Sequence, residues 1–522
     1  MTTIATVSID CEKIIGELKP IWNSIAYDEI NGCYTQRGQD VLRVLKDEVC
    51  QRAFYVRNHN AFTSGNYLSY PLEGSTNIYR EDQNGNPIYY FDVIDRIYDT
   101  LIANNLIPHV EFNFMPFDLV PKEHQSDYDL NGWKYPPKDY QKWFQLVQTF
   151  IQHLEQRYGK QIENWIFEVW NEPNIDGYWL ATVEDYCKLY DYSVEAVKSV
   201  NPNLKVGGPV TTDSGQTFLD AFLKHVTQGM NYANQQIGSQ IDFISLHSKG
   251  ASFRPSMSFG HPVTFQSPSV QTMLDQIQSN LNIINKYQTL ANVPVYVDEC
   301  DPVVGYRYGI YDNKNYLVCN NEYYPSIVAA IIYNILKLFP RVKLMTTSAF
   351  YLDGKRMFEG NRMFVTNYNI YLPILNGIKL IEKLQTKQLN FEITNNSLPL
   401  NAFCTIDQSQ TSIQLLIFSH IDDYSIDQNQ NFQIILNNLQ FEFVLVKHYK
   451  IDKNHNNTYS QWIQMGQPQS LNQEQLQFFQ NYQQLTLLNP PILYEVKNKT
   501  LTIDSLNIFT HSIDFFEITK AD

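Results

Sequence analysis

Between about residues 20 and 385 the chain repeats one alternation: a short apolar run rich in β-branched residues, then a longer stretch with helical spacing. Runs of strand character fall at 21–26, 53–58, 107–114, 165–170, 205–208, 243–247, 293–298 and 343–350. Helical stretches lie between them at 90–104, 140–158, 182–200, 217–228, 270–290 and 325–339. A continuously apolar strand has to be covered on both faces, and parallel neighbours need a crossover long enough to hold a helix. Eight such units predict an α/β fold, a (β/α)8 TIM barrel. An open doubly wound sheet is the competing architecture, but no glycine fingerprint follows the first strands.

After about residue 385 the texture changes. Runs at 412–418, 432–436, 441–446 and 500–503 alternate as strands do, without long helical periods between them, which predicts an appended C-terminal β-sandwich domain. The expected division is an N-terminal strand within 1–15 that pairs with the sandwich, a barrel over 16–385 and a sandwich over 386–522. A length of 522 residues fits two cores better than one. The formal charge of -15 argues against nucleic acid as a partner and is indifferent to a neutral sugar. Seven dispersed cysteines without a CxxC pair read as free thiols, not as a disulfide framework or a metal site. No run suits a membrane span, and no signal peptide is visible at the N-terminus. The expected location is therefore cytoplasmic by default, or secreted or lysosome-like if a leader was removed. The stretch 427–484 is rich in Asn and Gln without a repeat, which reads as compositional bias.

Two segments carry the chemistry. In Trp165-Ile-Phe-Glu-Val-Trp-Asn-Glu-Pro-Asn174 a buried strand ends in Asn-Glu-Pro, and the proline stops it because it has no N–H for the ladder. Barrel active sites lie at the C-terminal strand ends, so Glu172 is expected to face the site, with Trp170 shielding its carboxyl as a general acid requires. The plain alternative is a surface glutamate that caps the next helix. In Val293-Pro-Val-Tyr-Val-Asp-Glu-Cys-Asp-Pro302 the seventh strand also ends in acids. Acids ending strands four and seven can face each other across the barrel mouth at the roughly 5–5.5 Å of a retaining glycosidase. Glu299 is the expected nucleophile. Asp298 is set aside because strand alternation turns it to the opposite face, and Asp301 because it lies in the loop beside a proline.

With these residues in place the chain resembles glycoside hydrolase family 39, which holds β-xylosidases and α-L-iduronidases. Further landmarks are Lys19-Pro-Ile-Trp22, Val56-Arg-Asn-His59, Val110-Glu-Phe-Asn-Phe-Met-Pro116 and Tyr135-Pro-Pro-Lys-Asp-Tyr140. Past the barrel, His448-Tyr-Lys-Ile-Asp-Lys-Asn-His455 and Tyr459-Ser-Gln-Trp-Ile-Gln-Met-Gly466 resemble the family's sandwich domain. The resemblance implies a retaining double displacement with Glu172 as acid/base and Glu299 as nucleophile, and it needs no metal or organic cofactor. It implies that Asn171 hydrogen-bonds the sugar 2-hydroxyl and that His59 and His247 line the subsite for the terminal sugar, where the other reading of each histidine is a satisfied core residue. Tyr306 is a candidate to stack on the sugar, and Trp179 either flanks the leaving group or packs.

The sugar itself is read two ways. Asp242-Phe-Ile-Ser-Leu-His-Ser-Lys-Gly-Ala251 and Asp298-Glu-Cys-Asp-Pro-Val-Val-Gly305 resemble iduronidase motifs, which makes Lys249 and Arg362 candidates to hold a substrate carboxylate. Their bland reading is an ion pair with a nearby acid. Against the iduronide stands Thr347, where the iduronidases carry an acid. The segments Phe167-Glu-Val-Trp-Asn-Glu-Pro-Asn174 and Phe114-Met-Pro116 are closer to the xylosidases. The expected function is an exo-acting retaining hydrolase of a terminal β-D-xyloside, with a terminal α-L-iduronide second. Glycosyl transfer to an alcohol and an inactive carbohydrate-binding barrel are the rivals, and the oligomeric state stays open.

Overall fold

A computed structural model describes residues 4–65, 74–251, 265–305, 308–349 and 354–521. Among these, eight parallel strands close into a barrel in chain order: Ser24–Ala26, Phe54–Asn58, Leu106–Glu111, Ile166–Glu168, Lys205–Thr211, Ile244–Lys249, Val295–Asp301 and Val342–Ala349. The last pairs with the first through Thr346↔Ser24 and Thr347↔Ile25. No doubly wound sheet is present among the described residues.

The covering helices follow from their apolar spacing. In Tyr140–Tyr158, the buried residues Trp143, Leu146, Val147, Phe150, Ile151 and Leu154 recur every three or four positions and turn one stripe to the barrel. Asp139 caps its N-terminus by accepting from the backbone N–H of Gln141 and Lys142, and Gly159 at φ +58° ends it. Helix Tyr323–Leu338 is instead buried almost all round, because the barrel lies on one side and the second domain on the other.

Nine strands form that second domain as one continuous sheet folded over its own core. Ala5–Glu17 is an interior strand, third from one edge, antiparallel to Lys387–Thr394 and parallel to Asn429–Asn437. Strand alternation divides the labour within Ser412–Ser419. Ile413, Leu415 and Ile417 enter the sandwich core, while Leu416 and Phe418 join the barrel core on the opposite face. Phe403 and Phe418 meet Tyr333 of the buried helix with ring centroids at 5.5 and 5.8 Å. All seven cysteines are free thiols.

Two expected strand ends are corrected. The fourth strand stops at Glu168, not 170, because Trp170 (φ 73°) and Glu172 (φ 44°) leave the pleat for the left-handed region. The seventh continues to Asp301, with a bulge at Asp298: Val297 pairs with Leu246 and Glu299 with His247. A bulge places two residues opposite one and resets the alternation. Asp298 therefore does not face away from Glu299 but stays inside the barrel. Asp301 likewise is the last strand residue and fully buried, not part of a loop.

The interior position of the N-terminal strand, paired on both sides, sets an expectation. Ile9 is fully buried in the sandwich core, so Ile9→Ala should cost roughly 2–5 kcal/mol, read by chemical denaturation of the full chain.

Candidate active site

Arg57, near the end of the second strand, is the hub of the barrel mouth. Its guanidinium is 1% exposed and meets four partners: Nε donates to Glu168 Oε2 (3.0 Å), Nη1 to Glu299 Oε1 (3.0 Å) and Nη2 to Asn171 Oδ1 (3.1 Å), while Nη2 also forms an ion pair with Glu111 Oε1 at 2.7 Å. These come from strands three, four and seven and the turn after strand four. A planar fork of five donors suits such a convergence, where a lysine would not.

Glu299 is held by the same hub and by Lys249, whose Nζ donates to Oε2 at 2.7 Å. Burial raises its pKa, but the positive charges of His247, Lys249, Arg57 and Arg362 outweigh this and hold the carboxyl well below the usual range. Beneath it, Asp298 and Glu168 form a buried acid pair. Burial and then the neighbouring Glu168 charge push Asp298 well above the usual range. Burial acts on Glu168 too, but Arg57 and the hydrogen bond from Asp298 keep it well below. The opposite shifts of the two coupled acids favour Glu168 as the one that carries the charge facing Arg57.

Glu172 sits on the turn after strand four, with its backbone N–H bonded to Val210 O. Its Oε1 lies 2.7 Å from His247 Nδ1, and the same nitrogen is 3.7 Å from Glu299 Oε2. His247 thereby stands between the two acids, and carboxylate oxygens of Glu172 and Glu299 lie within 4.8 Å of each other. Trp170 turns away from this pocket into an aromatic cluster with Phe114, Trp143 and Trp179, its indole N–H donating to Tyr178 O. Trp179 is buried in the same cluster. Tyr178, not Trp170 or Trp179, reaches the cavity.

A cavity of about 280 Å³ opens over these groups, lined by Glu172, Glu299, His59, His247, Lys249 and Arg362 together with Asp28, Tyr178, Asp213 and Tyr308. Five of the expected substrate-site residues are accounted for by this arrangement. His59, His247, Lys249 and Arg362 are on the wall, and Asn171 is buried behind it against Arg57. Tyr306 lies outside the described residues. Lys249 and Arg362 both pair with the buried Asp301, so the ion-pair reading holds for each even though each also faces the cavity. Asp301 and Glu299 together overcome the burial that would lower the Lys249 pKa, and raise it.

The sequence pattern does not single out Arg57, Glu111, Glu168 or Asp28, and it offers Asp301 only as a rival nucleophile. The available signal was a charge inside an apolar strand, as in Val56-Arg57-Asn58 and Phe167-Glu168-Val169. Such a residue is almost never buried without a partner.

Glu172, His247 and Glu299, and below them His109, Glu168 and Asp298, each bring three ligand-type atoms within 4.8 Å. Both trios adjoin Arg57, and the upper one also Lys249. A divalent cation would have to sit against those fixed positive charges, so the trios fit acid networks better than metal sites.

Two acids ending the fourth and seventh strands of a parallel barrel, close enough to act on one bond from opposite sides, are the frame of a glycosidase. The chain belongs to glycoside hydrolase family 39: residues 6–486 match the family described as "Glycosyl hydrolases family 39". A β-xylosidase of Geobacillus stearothermophilus is 26% identical over 444 residues, covering 82% of this chain and 79% of that one. An α-L-iduronidase of Mus musculus is 27% identical over 232 residues, 42% of this chain and 31% of its own. The crystal structure of a monomeric β-xylosidase from Caulobacter crescentus CB15 superposes with a TM-score of 0.81 at 22% identity, over 99% of this chain and 100% of that one. Among the described residues no helix is long and apolar enough to cross a membrane.

His59 gives the site a pH signature. Burial disfavours its charged form, but Glu111 at 2.7 Å from Nδ1 and Asp28 at 3.7 Å from Nε2 override this and carry the imidazole up to about 9. The folded-state value lies above the unfolded value of about 6.5. The stabilisation is therefore complete below about pH 6.5 and is lost as pH rises through about 9, amounting to on the order of 3 kcal/mol. In urea titrations, the stability gap between wild type and His59→Gln should shrink by that order between pH 6 and 9.5. A constant gap would refute the assignment.

Proposed function

We propose that the protein is an exo-acting retaining glycosidase that removes a terminal β-D-xylosyl unit or a close stereochemical relative. The observation that carries this is the pair of carboxylates within 4.8 Å of each other, one clamped by cations and the other bonded to a histidine. Glu299, held ionised by Arg57 and Lys249, attacks the anomeric carbon, while Glu172 gives its proton to the departing oxygen. A covalent glycosyl ester on Glu299 results. Glu172, now the base, takes a proton from water as the water oxygen attacks the same carbon, and Glu299 leaves as a carboxylate. The close approach of the two carboxylates supports a retaining course, in which one of them attacks the sugar directly.

In the terminal-sugar subsite, Asp28, His59 and His247 are placed to bond hydroxyls. With its Oδ1 committed to Arg57, Asn171 would present its amide NH2 to the 2-hydroxyl. Binding and catalysis are assigned to side chains, without a cofactor.

The choice of sugar follows the extent of sequence likeness, since in sequence the β-xylosidase match spans most of both chains and the murine α-L-iduronidase match less than half of either. Lys249 and Arg362 on the wall favour an α-L-iduronide as the second reading. Their existing pairing with Asp301 and Glu299 weakens it, because a substrate carboxylate would compete with anions already fixed in place. The intact acid pair argues against a purely carbohydrate-binding role.

Two variants test the roles. Glu299→Gln should lower kcat roughly 10⁴-fold or more while the circular dichroism stays that of the wild type. Glu172→Ala should lose about 10²–10⁴-fold on substrates with poor leaving groups and far less on a nitrophenyl glycoside, which departs without protonation. Assayed side by side, aryl β-D-xyloside should be preferred over aryl α-L-iduronide; the reverse preference would move Lys249 and Arg362 from structural pairing to substrate binding.

A further inference from the structure

The cavity has two chemically different sides. Around Glu299 it is densely charged, with His59, Asp28, Lys249 and Arg362 tied into ion pairs. Beyond Glu172 the wall is Ile175, Tyr178, Thr212, Asp213 and Ser214. These residues form one unit with the acid. Ile175 N–H donates to Glu172 O, Tyr178 N–H to Ile175 O, and Asn174 exchanges two hydrogen bonds with Thr212, at 2.7 and 2.9 Å. The turn that carries Glu172 and the turn after the fifth strand are thus fastened together. A group leaving on an oxygen that takes its proton from Glu172 has to depart along this side.

Asp213 is the one carboxylate on that side of the wall among the described residues, and it is unlike the acids around Glu299. It is half-buried and forms no ion pair among the described residues; its Oδ2 accepts a hydrogen bond from Gln276 at 3.3 Å. Gln276 is itself fixed, accepting from Ser248 Oγ and from the backbone N–H of Lys249, so Asp213 is aimed by the end of the sixth strand. On the same side of the cavity, Tyr178 is stacked on Phe114 with centroids 5.6 Å apart. A carboxylate that accepts from adjacent hydroxyls and an aromatic surface that covers C–H groups together make a sugar subsite. The carboxylate, with no cation paired to it among the described residues, repels an anionic leaving group.

We propose that Asp213 determines the leaving group: the subsite beyond Glu172 takes a neutral, hydroxyl-bearing sugar and discriminates against sulfated or carboxylated ones. This rests on the reading of Glu172 as the acid and of xylose as the terminal sugar.

The test compares kcat/KM for a β-1,4-linked xylose disaccharide and for 4-nitrophenyl β-D-xyloside, in the wild type, Asp213→Ala and Asp213→Asn. The ratio of disaccharide to aryl xyloside should fall at least tenfold in Asp213→Ala and less in Asp213→Asn, which keeps one acceptor oxygen. In a second arm, 4-carboxyphenyl β-D-xyloside should gain on phenyl β-D-xyloside by several-fold once Asp213 is removed. A disaccharide-to-aryl ratio that stays within about twofold of wild type, or no gain by the carboxylated aglycone, overturns the role of Asp213. Wild-type turnover of neither xyloside is a different result: it overturns the reading of the terminal sugar, and the inference with it.

Discussion

A guanidinium sealed from water must find its counter-charges inside the protein, and Arg57 finds them on three other barrel strands at once. Burying that cation would be prohibitive alone, and burying Glu111, Glu168 or Glu299 alone would be as well. Together they form a network whose members tolerate burial only in one mutual arrangement. The closed barrel supplies the arrangement, because its strand ends converge from all sides on one axis. Catalytic geometry and fold are coupled through this network: what places Glu299 is the set of charges that would be left uncompensated if it moved.

Above the network the charges are arranged by function. Glu299 is surrounded by cations and kept ionised, as a nucleophile must be. Among the described residues Glu172 pairs with His247, which it shares with Glu299, but not with Lys249 or Arg57. Two identical side chains in one cavity thus receive different electrostatic surroundings, which is how a single pocket supports an acid and a nucleophile together. The side of the pocket beyond Glu172 has neither the cations nor the dense pairing, and there Asp213 and Tyr178 give it the character of a second sugar subsite.

Much of this was legible before any tertiary structure. The eight apolar runs and their helical separators predict the barrel because parallel strands buried on both faces leave few other architectures. Glu172 and Glu299 stand out because each is an acid where an apolar strand ends. What was not legible is instructive. Simple alternation puts Asp298 on the outer face, and the bulge beside it, invisible in composition, brings it inside as the buried partner of Glu168. Trp170 was expected to shield the acid, but a left-handed turn sends its ring into the aromatic cluster and leaves Tyr178 on the wall.

The sequence by itself determined the elements and the two acids, since hydrophobic period and strand-end chemistry are local properties carried by neighbouring residues. Only the tertiary structure decided that Arg57, Glu111, Glu168 and Glu299 share one charge network, that Asp301 occupies both Lys249 and Arg362, and that Asp213 stands on the leaving-group side. The physical reason is separation along the chain. Arg57 and Glu299 lie 242 positions apart, and no local pattern records which distant charge will compensate a buried one; that is settled when the barrel closes and brings the strand ends to a common centre.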